Sequence, residues 1–367
     1  MAKESLHKFA GMGQDSQIYY LTAFLATALL VGIGAWLFTS MKKKKSTSTQ
    51  NTKVRPEKWC LVGKVAKLIV YPIKSCQGIV VEEAAVTRLG LKLRDHNIRD
   101  RDFMIVDKKG KSITLDVMPA MSFITLEPSL EKKNHLVMSA PGMDSIVFTY
   151  PDEDKSEEKI CRVMHDKNVK ALDCGDQVAE WIQTFLGKEE LRLFYHHVPE
   201  TQRTFEPYMF ECPLYEKTDM GAFQNETSYL IVGQESIDEL NARLPEKKSS
   251  WRNWRPTILI DNVLEPFAEI NWSFVKIGGE NVILKAAIPC ARCGLTTVDQ
   301  DTGTLPKDGE PLKTLRQMNK TDVIVDRKMA EVVKNRGIMG IRMGLYVPAG
   351  AEGSLIKVGD PIYAALL

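Results

Sequence analysis

Two cysteines separated by two residues carry the most distinctive chemistry in this sequence. Cys290 and Cys293 stand in the stretch PCARC, directly after the apolar, strand-like run at residues 282–287. Arg292 lies between them, and a guanidinium beside a thiol stabilises the thiolate, which is the form that binds a metal or acts as a nucleophile. Because the motif holds no His or carboxylate, a soft anionic sulfur here suits a metal whose other ligands come from a cofactor.

Three simpler interpretations of this cysteine pair stay open. A structural zinc site needs two further Cys or His ligands at similar spacing, but the nearest other cysteine is Cys212 and no His follows His197. A thioredoxin-like redox pair begins a helix, whereas the β-branched residues 296–298 follow here. Two buried, unreactive thiols are the third interpretation, although Pro289 and Arg292 are unusual neighbours for a plain core strand.

The composition disfavours two broad classes of protein. Forty-nine Lys and Arg against forty-seven Asp and Glu leave a formal charge of +2, which is too balanced for nucleic-acid binding by counterion release. Seven cysteines form an odd set without framework spacing, so a disulfide-stapled secreted domain is disfavoured and a reducing compartment is expected. With 367 residues and 44% hydrophobic side chains, the chain can form one large or two moderate domains.

The amino-terminal segment has the pattern of a membrane anchor. Residues 18–38 contain no charged side chain, and about 20 such residues suffice for a helix to cross a bilayer. Four lysines at 42–45 follow the apolar run and predict that the rest of the chain faces the cytosol, whereas a cleaved secretory signal has its basic residues before the run. The sequence therefore predicts a tail at 1–17, a transmembrane helix at 18–38 and a basic stop with a flexible tether at 39–58.

The elements that must position the cysteines are mostly strands. After Trp59, short alternating apolar runs are separated by turn sequences such as DKKG at 107–110, and helical spacing is confined to regions such as 178–186 and 237–244. The sequence has no glycine-rich nucleotide loop, G-x-S-x-G elbow or H-E-x-x-H pair. A β-rich fold of the barrel or sandwich kind is expected, divided near the helix that ends at Leu186.

Four motifs in a fixed order point to a known family. They are YPIKSC at 71–76, CARCGLTTVDQDTG at 290–303, EPLKTL at 310–315 and IKVGDP at 356–361. From about Leu61 to the carboxyl end, the chain resembles the MOSC family and, within it, the mitochondrial amidoxime reducing components. The resemblance implies an α+β, mainly β fold, in which the transmembrane helix is followed by a MOSC N-terminal β-barrel-like domain at 59–187 and a MOSC β-barrel domain at 188–367, with a few covering helices. It also implies a molybdenum cofactor, Mo-molybdopterin, bound between the two barrels.

The resemblance further implies which residues hold this cofactor. The second cysteine of the C-x-x-C motif is the family's molybdenum ligand, and it corresponds to Cys293. The basic and hydroxyl residues around the pterin and its phosphate correspond to Lys74, Ser75, Arg101, Thr227, Ser228, Arg255 and Arg292. A phosphate monoester attracts Lys as a point charge and Arg as a bidentate donor, while Ser and Thr hydroxyls complete the shell. Taken singly, each of these residues also has an ordinary interpretation as a surface, turn or loop residue.

The sequence departs from the family pattern at three places. Asp116 stands where a basic residue is usual, Thr257 replaces an Asn after Arg255, and Met339-Gly340 replaces a Phe-Gly element. These changes affect the expected substrate pocket and part of the pterin contacts, and they leave the metal ligand intact. Other candidate acids are interpreted as structural or turn residues, namely His196, His197, Asp299 and Asp301.

The activity that the resemblance implies is that of a molybdenum-dependent oxidoreductase. The expected reaction is a two-electron reduction of N-hydroxylated small molecules such as amidoximes and hydroxylamines, with the oxygen leaving as water. Because the sequence shows no flavin or nicotinamide motif, electrons are expected from cytochrome b5 and its NADH-dependent reductase. The family's home is the outer mitochondrial membrane with the catalytic part facing the cytosol, although the same lysines would orient an anchor in the endoplasmic reticulum or peroxisomal membrane.

Two other functional classes stay open at this stage. A sulfur carrier related to the molybdenum cofactor sulfurase would use a cysteine persulfide, but no pyridoxal-phosphate domain fits upstream of the motifs. A binding module that stores or delivers the cofactor without turnover would share every binding residue with the reductase, so the sequence does not separate the two.

Overall fold

Strands dominate the part of the chain that the structure, a computed structural model, describes: residues 56–204, 211–279, 282–346 and 351–365. In chain order the strands are β1 (Cys60–Val70), β2 (Ile79–Val81), β3 (Glu83–Thr87), β4 (Gly90–Leu93), β5 (Phe103–Val106), β6 (Thr125–Pro128), β7 (His135–Ser139), β8 (Ile146–Thr149), β9 (Glu158–Val163), β10 (Asp166–Asp173), β11 (Arg192–Tyr195), β12 (Tyr229–Gly233), β13 (Ile258–Asp261), β14 (Phe274–Ile277), β15 (Ile283–Ala291), β16 (Ile338–Leu345), β17 (Leu355–Lys357) and β18 (Pro361–Ala365). The α-helices are α1 (Asp176–Leu186), α2 (Gln234–Asn241), α3 (Trp251–Trp254), α4 (Leu312–Gln317) and α5 (Arg327–Val332). Short 3-10 turns lie at Pro119–Phe123, Lys217–Asp219, Ala268–Asn271, Gly294–Thr297 and Lys320–Val323.

Seven of the strands close a barrel in the order β13-β12-β16-β15-β14-β18-β1, and β1 returns to pair with β13. Neighbouring strands are antiparallel except β12 and β13, which are parallel, and the end of β1 also pairs with β2. Strand β15 is buried from Ile283 to Cys290. The adjacent residues Ala286 and Ala287 pack in two different hydrophobic clusters, so both faces of this strand are covered, as expected for a strand that lines a filled barrel.

Three smaller sheets, β5-β11-β10-β9, β17-β3-β4 and β6-β7-β8, belong to the same unit as the barrel. Their strands follow the period-two pattern of half-buried sheets: β8, for example, buries Ile146 and Phe148 and exposes the residues between and after them. Helix α1 buries Trp181 and Ile182 on one face and ends at Gly187, whose left-handed φ of 62° suits a residue without a side chain. Local patterns in the sequence therefore correspond to local elements.

The structure corrects the fold class expected from the sequence in two respects, the number of barrels and the helices. The described chain is mainly β, with one seven-stranded barrel rather than two and few helices. The first strand, β1, completes the barrel by pairing with β13 and β18, which lie far along the chain. Such non-local pairing cannot be read from local periodicity, because it depends on where the chain returns in space. The expected domain boundary at residues 187 and 188 falls between α1 and β11 and stays a prediction.

The second part of the correction concerns the transmembrane helix. Among the described residues, no helix is sufficiently long and apolar to cross a bilayer. The longest of them, α1, has 11 residues, whereas spanning requires about 20. The segments predicted as a tail at 1–17, a transmembrane helix at 18–38 and most of the tether at 39–58 lie outside the described residues.

Three residues that the family resemblance assigns to the cofactor have left-handed backbone conformations. They are Ser75 with φ 70°, Arg101 with φ 52° and Arg255 with φ 53°. Residues with a Cβ adopt this region uncommonly, and each instance costs on the order of 1–3 kcal/mol. Backbone hydrogen bonds hold two of them, since Arg101 N donates to the carbonyl of the distant Tyr71 at 2.6 Å and Arg255 N to the nearby Trp251 carbonyl at 2.9 Å. Strain in separate loops that converge on one place indicates a functional site.

Candidate functional site

One open cleft brings together every residue that the resemblance assigns to the cofactor. These eight residues all line it: Lys74, Ser75, Arg101, Thr227, Ser228, Arg255, Arg292 and Cys293. The cleft has a cavity volume of about 140 Å³. Residues from five separate loops and strand ends thus meet in space, while their role in binding a cofactor stays a prediction.

Cys293 follows β15, and its side chain is exposed and lines the cleft. Thr296 holds the next turn, because its backbone N–H and its Oγ1 both donate to the Cys293 carbonyl, at 3.1 and 2.9 Å. This turn is a 3-10 turn of four residues, not the α-helix that a thioredoxin-like pair requires. The described residues contain no group of three or more His, Cys, Asp or Glu side chains that could hold a metal.

Arg292 is held by two acceptors on either side of its guanidinium. Its Nη1 donates to the Sγ of Cys290 at 2.8 Å, and its Nη2 donates to the Trp254 carbonyl. Its Nε is buried and has no hydrogen-bond partner. The arginine between the two cysteines therefore contacts the sulfur of Cys290, and its Nε is the guanidinium nitrogen that has no partner within the protein.

Two further guanidinium groups stack on the buried ring of Tyr71. The Cζ atoms of Arg101 and Arg255 lie 4.3 and 4.2 Å from the ring centroid, a distance at which the ring quadrupole attracts cations. Arg255 is only 5% exposed, and both of its terminal nitrogens lack a partner. Burial, together with the charge of Arg101, lowers the pKa of Arg255 to about 10. An anion in the cleft would satisfy these two buried donors.

Asp100 holds Arg101 and the backbone of Tyr71 in place. Its fully buried carboxylate accepts hydrogen bonds from Arg101 Nη1 at 2.5 Å, from the backbone N–H of Tyr71 at 3.0 Å and from Gln224 Nε2 at 3.2 Å. Asp100, Tyr71 and Gln224 are not among the site residues predicted from the sequence. Tyr71 is the first residue of the YPIKSC motif and Asp100 precedes Arg101, and these positions are the signal that could have indicated them.

Lys74 is buried among cations. Its Nζ donates to the Phe223 carbonyl at 2.7 Å and to Asn225 Oδ1, which leaves a third N–H in the cleft. Burial lowers its pKa well below the usual lysine value, and the charges of Arg203, Arg101 and Arg255 lower it further. A bound anion would relieve part of this repulsion, so the lysine is suited to an anionic ligand.

Arg203 fixes the loop that receives Lys74. Its Nε pairs with the buried carboxylate of Asp166, and its terminal nitrogens donate to the carbonyls of Gln224 and Asn225. All of its nitrogens are thus used within the protein, so Arg203 acts on the cleft through the position of this loop rather than through a ligand. No motif in the sequence singles it out.

Two of the three expected hydroxyl ligands, Thr227 and Ser228, already donate to backbone carbonyls. Thr227 Oγ1 donates to the Tyr229 carbonyl at 2.9 Å, and Ser228 Oγ lies within hydrogen-bond distance of the carbonyls of Arg88 and Asp219. A hydroxyl has one proton, so each would have to rotate to donate to a phosphate. In this conformation they shape the loop that lines the cleft.

The donor set of the cleft fits a phosphate-bearing, anionic cofactor. Its lining residues include five cations, namely Lys74, Arg101, Arg255, Arg292 and Arg342, against one carboxylate, Glu226. That carboxylate pairs with Arg342. Positive charge is therefore in excess, buried N–H donors lack partners, and a single exposed thiol is present, which together match a cofactor that carries phosphate and needs one sulfur ligand.

Two of the three places that depart from the family pattern, at Thr257 and at Met339-Gly340, have a clear structural role. Thr257 lines the cleft and binds Leu230, donating through Oγ1 to its carbonyl at 3.2 Å and accepting from its N–H at 3.0 Å. Asp116 is exposed and is not among the lining residues. Gly340 has a φ of 79°, and a Cβ there would lie 2.4 Å from the Ile231 carbonyl oxygen, so glycine is required for close strand packing.

The other candidate acids do not line the cleft. His196 is fully buried, and burial lowers its pKa to about 3, so it is a neutral core residue. Asp299 is a turn residue, because its Oδ1 accepts the backbone N–H groups of Asp301 and Thr302 at 3.0 and 3.3 Å.

The buried Lys74 gives a testable pH effect on stability. We expect Lys74→Met to raise the melting temperature of the ligand-free protein, relative to wild type, more at about pH 7 than at about pH 9.5. The folded protein releases the Lys74 proton at a lowered pKa, whereas the unfolded chain keeps it until about pH 10.4. As the pH falls from the pKa of Lys74 in the unfolded chain towards its pKa in the folded protein, the charged form of Lys74 therefore destabilises the fold increasingly.

Thermal unfolding at both pH values measures this effect. The hydrogen bonds lost with Lys74 shift both measurements alike, so the pH dependence is the informative quantity. The exposed Lys188, changed to Met, is the matched control and should show no such dependence. A melting-temperature difference for Lys74→Met that is equal at both pH values would contradict the expectation.

Comparison with known proteins adds to this geometry. The MOSC N-terminal beta barrel domain matches residues 62–189, and the MOSC domain matches residues 219–363. Human mitochondrial amidoxime reducing component 2 is 34% identical over 304 residues, which cover 82% of this chain and 83% of the relative. Human mitochondrial amidoxime-reducing component 1 is 32% identical over 339 residues, covering 92% and 90%. The zebrafish (Danio rerio) component 1 is 32% identical over 310 residues, covering 84% and 87%.

These matches extend over both halves of the described chain and include every loop that lines the cleft. Identities above 30% over most of both proteins show a common family. The chain therefore belongs to the MOSC family, in the group of the mitochondrial amidoxime reducing components.

Proposed function

We propose that this protein is a molybdenum-cofactor-dependent reductase of N-hydroxylated compounds such as amidoximes and hydroxylamines. The observation that carries the proposal is one exposed thiol, Cys293, in a cleft whose buried guanidinium donors lack partners. The names of its relatives support the same activity class. When bound, the molybdenum cofactor supplies the two-electron redox chemistry that protein side chains lack.

The chain's own residues would bind and orient this cofactor. Cys293 would hold the metal through its sulfur, while Lys74, Arg255 and Arg292 would neutralise the anionic groups with their free N–H donors. Asp100 and Tyr71 keep the arginines in place. These groups are preorganised before binding, so little side-chain entropy is lost when the ligand enters.

The electron donor in this proposal is cytochrome b5, reduced by its NADH-dependent reductase. No dinucleotide motif occurs in the sequence, so an external donor is needed. The relatives are named mitochondrial, which supports a mitochondrial location for this protein as well. Its exposure to the cytosol at the outer membrane stays a prediction, and fractionation of cells with protease protection would test it.

A reconstituted assay tests the function. The purified full-length protein is analysed for molybdenum and then incubated with benzamidoxime, cytochrome b5, its reductase and NADH. We expect stoichiometric metal and NADH-dependent formation of benzamidine. Stoichiometric metal without turnover, also with hydroxylamine substrates, would replace the reductase with a cofactor-binding or sulfur-carrying role, and absence of metal would refute both.

A further inference from the structure

Cys290 has no role in the function proposed above, yet its surroundings are specific. It is only 3% exposed, lies near the end of β15 and lines the cleft. Its sulfur accepts a hydrogen bond from Arg292 Nη1 at 2.8 Å. A cysteine that only fills the core would contact apolar side chains. A charged donor at this distance therefore indicates that the Cys290 thiol serves as a hydrogen-bond acceptor.

The bond to Cys290 completes the immobilisation of Arg292. The opposite terminal nitrogen, Nη2, is held by the Trp254 carbonyl, and the guanidinium carbon lies 5.5 Å from the centroid of the Trp254 ring. Arginine has several rotatable bonds, and ordering such a side chain costs up to about 2 kcal/mol of rotamer entropy. The two hydrogen bonds and the ring contact therefore order the Arg292 side chain before any ligand binds.

The third nitrogen of the Arg292 guanidinium, Nε, is available to a ligand. Nε is buried, has no partner within the protein and belongs to a residue that lines the cleft. A buried unpaired donor costs on the order of 1–3 kcal/mol, so such a group is retained where a ligand pairs with it. If the Cys290 sulfur were missing, the guanidinium could turn about its remaining anchor and Nε would lose its fixed direction.

We propose that Cys290 is a positioning residue: its sulfur fixes the Arg292 guanidinium so that Nε is presented to an anionic ligand in the cleft. The two cysteines of the C-x-x-C motif then have different tasks, since Cys293 offers an exposed sulfur to the ligand and Cys290 acts only through Arg292. The proposal rests on the proposed function only in requiring that the ligand be anionic.

The test compares Cys290→Ala, Cys290→Ser, Arg292→Ala and the double variant Cys290→Ala/Arg292→Ala in the full-length protein. The control is Cys161→Ala, which removes another buried thiol at a position outside the cleft. Molybdenum per protein and the fluorescence of released, oxidised pterin report cofactor retention. Binding of inorganic phosphate to cofactor-free protein, followed by thermal shift, reports anion affinity independently of the cofactor.

We expect Cys290→Ala to weaken ligand retention or phosphate binding by about tenfold, the effect of roughly one lost charge-assisted hydrogen bond. The double variant should be no weaker than Arg292→Ala alone, because both changes remove the same contact. Cys290→Ser, which keeps an acceptor at the position, should recover most of the loss. The Cys161→Ala control should bind as wild type does.

Three results would overturn the proposal. Losses that add in the double variant would mean that Cys290 acts apart from Arg292, and wild-type binding by Cys290→Ala would mean that the contact is unimportant. Loss of metal with full retention of pterin would make Cys290 a metal ligand instead. If wild-type protein holds neither molybdenum nor pterin, the proposed function fails, and the phosphate measurements alone still support or overturn the role of Cys290.

Discussion

Cys293→Ala is expected to leave the purified protein without molybdenum and to lower benzamidoxime reduction below about 1% of the wild-type rate. Removal of a residue that only supports a metal ligand typically lowers metal affinity or activity by about 10–100-fold, so the loss expected here is larger. The cleft offers a single exposed thiol, and the described residues contain no cluster of other metal ligands that could replace it. Cys293 has an exposed side chain on a short turn, so its truncation should leave the fold intact. Molybdenum analysis, turnover with cytochrome b5 and thermal unfolding of the same preparation measure these three effects.

Cys290→Ala is the matched variant for this prediction. It removes the same atom type three residues earlier and should retain part of the metal and of the activity, because Cys290 contacts Arg292 rather than standing exposed in the cleft. Equal and complete loss from both variants would contradict this assignment. It would favour a redox pair or a zinc site, in which both sulfurs have the same task.

Lys285→Met is expected to reduce the free energy of unfolding by about 3–5 kcal/mol, the effect of removing one partner from a buried ion pair. Lys285 on β15 is 2% exposed, and its Nζ lies 2.9 Å from Oδ2 of Asp219, which is 1% exposed. Nζ also donates to the Leu214 carbonyl at 3.1 Å and to Glu216. Without the ammonium group, the Asp219 carboxylate would be buried with no neighbouring cation. Urea unfolding at about pH 7.5 measures the loss.

The pH dependence of this variant separates charge burial from simple loss of packing. Burial raises the pKa of Asp219 to about 6 even with Lys285 present, and removal of the ammonium should raise it further. A folded carboxyl with a raised pKa binds its proton more tightly than the unfolded chain does, so stability is regained as the pH falls through the folded pKa. The deficit of Lys285→Met should therefore shrink between about pH 7.5 and about pH 5.

The double variant Lys285→Met/Asp219→Asn is the control, because it leaves no unpaired charge. It should recover most of the lost stability at about pH 7.5, since a neutral amide costs less to bury than an unpaired carboxylate. A deficit in Lys285→Met that is constant with pH, and that the double variant does not reduce, would show that packing rather than charge stabilises this part of the barrel.

The sequence by itself determined the family and, through the resemblance, eight of the residues that line the cleft. The motifs around Lys74 and Cys293 are contiguous, so their resemblance to a family could be recognised without knowledge of contacts. Amphipathic segments such as α1 and short strands such as β8 also follow from spacing, because their burial pattern repeats along the chain. What the sequence could not provide was which distant segments meet. The expectation of two barrels was wrong for this reason.

Only the tertiary structure decided the barrel closure and the partners of the site residues. Strand β1 completes the barrel through β13 and β18, which no local pattern specifies. Arg292 stands between two cysteines in sequence, yet only the fold shows that its Nη1 binds Cys290 and its Nε stays free. The shifted pKa of Lys74 likewise depends on Arg101, Arg203 and Arg255, which come from distant loops. Hydrogen bonds, burial and charge act over a few ångströms in space, whereas sequence patterns report only neighbours along the chain.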